Sequence, residues 1–217
     1  MKQGLTEMIF ILDKSGSMDH LTEDTIGGFN SMIKQQKQEE GAAYVTTVLF
    51  SSYHTTLHNH VNINDIQPIT EKDYYAMGTT ALLDAIGDTI YSVGKRLSET
   101  PEEERPEKVI FVITTDGMEN ASQEFTKSQV KEMIEHQQEK YSWTFMFLGA
   151  NIDAVGEGSS LGIKPQFSKT YTASAQGTSS VYTAVANTMS CLRSVELEAY
   201  TKGDWEAQAY CSMESIV

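Results

Sequence analysis

The chain has 217 residues, 40% of them hydrophobic, and sets 16 Lys and Arg against 30 Asp and Glu for a net charge of −14. A single domain of that length buries about 70% of its unfolded surface, which excludes wholesale disorder and any need for covalent staples. An acidic surface repels phosphate backbones and anionic lipids and attracts metal cations, so neither a nucleic-acid nor a membrane partner is expected.

The two cysteines, Cys191 and Cys211, are too few for a disulfide framework. The first twelve residues lack the apolar region and cleavage site of a signal peptide. No apolar run reaches the ~20 residues that a membrane span requires. The expected location is cytoplasmic.

Four apolar runs predict strands: 8–12 (MIFIL), 44–50 (YVTTVLF), 109–114 (VIFVIT) and 143–148 (WTFMFL). Three lack alternation and are rich in Ile, Val and Phe, as strands covered on both faces are. The second alternates more and runs almost directly into 51–60, which predicts an antiparallel hairpin at a sheet edge. Residues 167–171 predict one further short strand.

Helical stripes fall between them: Ile26, Phe29, Ile33 and Gln36, then Leu82, Ile86, Ile90, Val93 and Leu97. A third joins Val130, Met133, Ile134 and Gln137, and a fourth Val181, Val185, Thr188, Leu192 and Val195. All are read as core packing. The alternation predicts an α/β fold, a Rossmann-like three-layer sandwich. Its central sheet is mostly parallel, with one antiparallel edge strand and helices on both faces. The charged segment 99–108 (ETPEEERPEK) reads as a solvated loop, and 156–162 (GEGSSLG) as a loop or frayed helix end.

In open parallel sheets, ligands gather where strands end. After the first run comes Asp13-Lys14-Ser15-Gly16-Ser17, and after the third comes Thr115-Asp116-Gly117. Gly78-Thr79-Thr80-Ala81 precedes the second helix. These loops offer two carboxylates, Asp13 and Asp116, and hydroxyls at Ser15, Ser17 and Thr80. Hard oxygens suit Mg²⁺, Mn²⁺ or Ca²⁺ rather than zinc. An extended loop would aim Asp13, Ser15 and Ser17 to one side, with Gly16 allowing the tight backbone.

Asp13-x-Ser15-x-Ser17, Thr80 within GTTALLDA and Thr115-Asp116-Gly117 together resemble the von Willebrand factor A family and its metal ion-dependent adhesion site. The resemblance runs from about Thr6 to Val195, and 147–153 (FLGANID) is similar to a segment of small bacterial members. The chain is read as a domain over 1–198 and a tail over 199–217, whose Trp205, Tyr210 and Ile216 predict that it docks on the domain. The resemblance implies that Ser15, Ser17 and Thr80 ligate a divalent ion while Asp13 and Asp116 orient them, with an Asp or Glu of a protein partner completing the shell. Such a module is not an enzyme. Where many members have Gly-Gly-Thr this chain has Gly78-Thr79-Thr80; the register of the following helix selects Thr80, and Thr79 stays open as a substitute. A shift of the last helix, about 179–195, accompanies binding in some relatives.

The main rival is a Mg²⁺-dependent phosphohydrolase of the haloacid dehalogenase type with Asp13 as nucleophile. That chemistry needs a second Asp two residues on as general acid, where this chain has Ser15. Residues 156–162 have the wrong spacing for a dinucleotide fingerprint, and neither Ser15 nor Ser17 stands in a Gly-x-Ser-x-Gly elbow. His54, His58 and His60, evenly spaced on the edge hairpin, are read as exposed polar residues in preference to a zinc set.

Overall fold

The computed structural model describes residues 1–202. Its six strands are β1 (Lys2–Asp13), β2 (Ala43–Phe50), β3 (His54–Asn62), β4 (Pro106–Thr115), β5 (Thr144–Ala150) and β6 (Ser168–Tyr171). They form one sheet in the order β3-β2-β1-β4-β5-β6, with β3 antiparallel at the edge and every other pair parallel. The helices are α1 (Thr22–Gln36), α2 (Leu82–Glu99), α3 (Lys127–Tyr141), α4 (Ala154–Ser160), α5 (Ala175–Ser194) and α6 (Leu197–Lys202). α1 packs on α5 over one face of the sheet and α2 on α3 over the other, as right-handed crossovers require. This is the Rossmann-like sandwich that the sequence pattern predicts.

The apolar runs form the sheet because helices cover both of its faces. Met8 through Leu12, Ile110 through Ile113 and Phe145 through Leu148 are all buried. Phe111 stacks against both Trp143 and Phe145 across β4 and β5. The chain leaves β1 toward β2 on one side and returns through α2 to β4 on the other. The switch point therefore lies between the C-terminal ends of β1 and β4, where Asp13 and Thr115 sit.

Three local expectations change. Segment 99–108 is not a plain loop: a 3-10 turn spans Glu102–Glu104 and β4 begins at Pro106, a strand's first position being one where proline loses no ladder bond. Within it Lys108 is buried, its ammonium held by the carbonyls of Arg193 and Val195. Much of 156–162 is helix α4, started by Asp153, whose side chain accepts from Gly156 N–H at 2.9 Å. Its Gly158 lets the helix approach Ser168 of β6, where a Cβ would lie 2.1 Å from the serine hydroxyl.

On β3, irregular pairing with Thr47 on both sides breaks the alternation, and His60 takes φ +52°. The histidines are half-buried rather than exposed, and each finds its own partner: His54 Asp88, His58 Thr47 and His60 Glu7. Burial lowers the His58 pKa, against a raising influence from Asp73. Among the described residues no three His, Cys, Asp or Glu side chains gather as a metal set. No helix there is long and apolar enough to cross a membrane. α6 runs across position 198; its Tyr200 is buried and meets Thr144 Oγ1 at 2.7 Å. Trp205, Tyr210 and Ile216 lie outside the described residues.

Candidate metal centre

Asp13 closes β1 fully buried, and both carboxylate oxygens are engaged. Oδ1 accepts from Ser15 N–H and Oδ2 from Thr115 Oγ1, each at 2.6 Å. Its carbonyl accepts from the Tyr74 hydroxyl, a phenol that burial keeps neutral by pushing its pKa well up. Burial also raises the Asp13 pKa; the bonds from Thr115 and Ser15 oppose that, and the charge of Asp116 adds to it. Among the described residues no cationic side chain pairs with this carboxylate.

The loop that follows is not extended throughout. Ser15 is extended (φ −63°, ψ 165°), and the chain then enters a 3-10 turn over Gly16–Leu21. That turn, not strand alternation, brings Ser15 Oγ within 3.1 Å of Ser17 Oγ. Ser17 Oγ donates to Asp116 Oδ1 at 2.6 Å, which links the ends of β1 and β4. Asp13 instead faces inward to Ser15 N–H and Thr115, the orientation of a supporting group.

The third loop is pinned to the first by Gly16 N–H donating to Gly78 O at 3.0 Å and Met77 N–H to Lys14 O at 2.8 Å. Gly78 has φ +80°, and a Cβ there would meet Ser52 Oγ at 2.5 Å, so only glycine fits. Thr79 turns away: its hydroxyl lies 2.9 Å from Ser52 Oγ. Thr80 is buried and turns toward the centre, and a Cβ on Gly117 would sit 3.3 Å from Thr80 Oγ1 and 3.8 Å from Ser17 Oγ. Of the two threonines that the sequence leaves open, Thr79 is engaged by Ser52 and Thr80 is the one beside Gly117.

The five residues Asp13, Ser15, Ser17, Thr80 and Asp116 thus converge at the switch point. The set fits a hard divalent cation. Two carboxylates would balance its charge, neutral hydroxyls are hard ligands for it, and the buried Asp13 carboxylate has no cationic partner among the described residues.

No protein-family model matches the chain, and no curated protein matches it in sequence. Solved structures do. Proximal thread matrix protein 1 from the mussel byssus, solved with a zinc-occupied MIDAS motif, aligns with TM-score 0.59 and 17% identity over 86% of this chain and 46% of that one. The manganese-loaded TRAP protein of Plasmodium vivax aligns with TM-score 0.56 and 17% identity over 79% and 70%. A von Willebrand factor type A protein from Catenulispora acidiphila aligns with TM-score 0.51 and 15% identity over 96% and 42%. The chain has the von Willebrand factor A fold. It spans less than half the length of the mussel and Catenulispora proteins.

Around the centre of this von Willebrand factor A fold stand supports that the sequence reading did not assign. Thr115 was part of the quoted motif, but its bond to Asp13 is a tertiary contact. Asn120 grips Thr80 twice, its Oδ1 accepting from Thr80 N–H at 3.0 Å and its N–H donating to Thr80 O at 3.1 Å. Glu119 accepts from Leu83 N–H, Ala121 N–H, Ser122 N–H and Ser122 Oγ at 2.7–2.9 Å. Burial alone would raise its pKa; these bonds outweigh that and hold it below the ordinary value. The one local signal was that Glu119 and Asn120 closely follow a strand-end Asp-Gly.

Proposed function

We propose that the rim formed by the Asp13, Thr80 and Asp116 loops holds one divalent cation, Mg²⁺ in preference to Mn²⁺ or Ca²⁺, and captures an Asp or Glu side chain of a protein partner. The carrying observation is the meeting of Ser15, Ser17 and Thr80 hydroxyls beside two carboxylates at the switch point. Ser15, Ser17 and Thr80 act as ligands; Asp13 and Asp116 orient them and supply the balancing charge. A cation bound there offers an open coordination position to an external carboxylate. The zinc and manganese held by two structural neighbours support a divalent ion of this kind.

The role is binding and not catalysis. A phosphohydrolase with Asp13 as nucleophile needs a free, reachable carboxylate oxygen. Asp13 is fully buried, and both of its oxygens accept hydrogen bonds at 2.6 Å. Ser15, at the place where such enzymes hold a second Asp, cannot act as the acid near neutral pH.

The test is calorimetric titration of metal-stripped protein with Mg²⁺ and Mn²⁺, beside Asp13→Asn. Saturable binding is expected in the wild type and none in the variant. Equal binding by both proteins, or none by the wild type at millimolar metal, overturns the assignment.

A further inference from the structure

Eight large hydrophobic side chains are exposed among the described residues, and four of them, Tyr53, Tyr75, Met77 and Met118, stand on the loops of the metal rim. Each is tied to those loops. Tyr75 lies under the Lys14 ammonium, 4.6 Å from the ring centroid. Met77 donates its backbone N–H to Lys14 O, one residue before the Gly78 contact with Gly16. Met118 follows Gly117, the residue packed against Thr80 and Ser17. Tyr53 closes the β2–β3 turn, where Ser52 holds Thr79. The other four are scattered over the N-terminus, α2, α3 and α4.

Isolated exposed apolar residues need no explanation, but a ring of them around a polar centre marks a contact surface. Methionine adapts its shape to a ligand, and tyrosine supplies rigid amphipathic area. The charge around the ring is equally informative. Lys14 is buried against the Tyr75 ring, while Asp19 and Glu124 stand exposed on the same loops. With a net charge of −14 behind it, this face repels a run of acids. It accepts one carboxylate only at the metal, and its long-range field draws in a basic molecule.

Resting on the metal-dependent reading above, we propose that this face binds an extended segment of a net-basic protein that presents a single Asp or Glu between apolar side chains. The carboxylate goes to the metal loops, and its neighbours pack on Tyr53, Met77 and Met118.

The experiment uses a bead-displayed library of nonapeptides with a fixed central Asp and random flanks, selected on the protein in saturating Mg²⁺. An Asn-centred library and a chelator arm run beside it. Enrichment of apolar residues next to the Asp, with Lys or Arg beyond them, is expected. The double variant Met77→Ser/Met118→Ser should bind Mg²⁺ as the wild type does and lose about tenfold in affinity for the selected peptides. Metal-dependent selection with no apolar bias, or with acidic flanks, overturns this inference and leaves carboxylate capture standing. Equal selection from the Asn-centred library, selection that survives chelation, or no selection at all overturns carboxylate capture and this inference with it.

Discussion

Strand β1 buries two carboxylates, and they are provided for in opposite ways. Glu7, in mid-strand, is met by the Arg96 guanidinium from α2, and His60 from β3 lies 3.3 Å away. Asp13, at the strand's end, receives only a backbone N–H and a hydroxyl, with Asp116 adding like charge nearby. The fold itself gives the first group a counter-charge, though Glu7 Oε2 has no hydrogen-bond partner among the described residues. The second is buried without a counter-charge, a costly arrangement unless a cation arrives from outside. The two acids of one strand thus differ in whether the described residues bring a counter-ion to them.

Removing Arg96 breaks the comparison most severely. Arg96→Met takes the guanidinium away from buried Glu7 and leaves it beside His60 alone among the described residues, and should cost about 3 kcal/mol in urea unfolding, with Mg²⁺ affinity unchanged. Adding Glu7→Gln in that background should restore most of the loss, because the stranded charge is then gone. A double variant as unstable as the single one would mean that Arg96 acts through packing.

Asp13→Asn should have an effect whose sign depends on metal. Without metal the variant is at least as stable as the wild type, since an uncompensated buried charge has been removed. With Mg²⁺ at a hundredfold over its dissociation constant the wild type gains about 2.7 kcal/mol and the variant nothing. Thermal melts with and without Mg²⁺ should therefore cross. Parallel curves would mean that Asp13 is a structural acid like Glu7.

The two neighbouring threonines sharpen the site further. Thr80→Val, which keeps shape and loses the hydroxyl, should weaken Mg²⁺ binding about tenfold. Thr79→Val should leave metal affinity intact and cost about 0.5 kcal/mol through its lost bond to Ser52. The reverse ranking would move the ligand to Thr79.

What the sequence reveals and conceals follows one physical line. Burial on both faces writes strands as unbroken apolar runs, so β1, β4 and β5 and the switch point between them are legible. The loops that carry Asp13, Ser15, Ser17 and Asp116 are legible because they follow strand ends, and the Thr80 loop because it precedes a helix. Whatever depends on a partner distant in sequence is hidden. The hydroxyl of Thr115 on Asp13, the grip of Asn120 on Thr80 and the Ser52 bond that diverts Thr79 leave no local periodicity. α4 is hidden for another reason: two glycines lower its helix propensity, and the packing of Gly158 on Ser168 overrides them. The histidines of β3 mislead because irregular pairing breaks the alternation on which reading a shared face depends.

A further modest effect concerns Glu119, which ties the Asp116 loop to the first turn of α2. Its pKa is held below the ordinary 4.5, so the unfolded chain takes up the proton first as pH falls. The stability it contributes is fully present above that ordinary value and is lost as pH falls through the lower folded value. Glu119→Gln cannot accept all four bonds and should cost about 1 kcal/mol near neutral pH, a modest figure because the side chain is partly in water. Urea unfolding of both proteins at about pH 7 and at successively lower pH should show the gap narrowing as the wild-type carboxyl takes up its proton. A gap of equal size throughout would mean that shape and not charge holds the loop. Asn120 would then be the principal clasp between Thr80 and the strand-end Asp116.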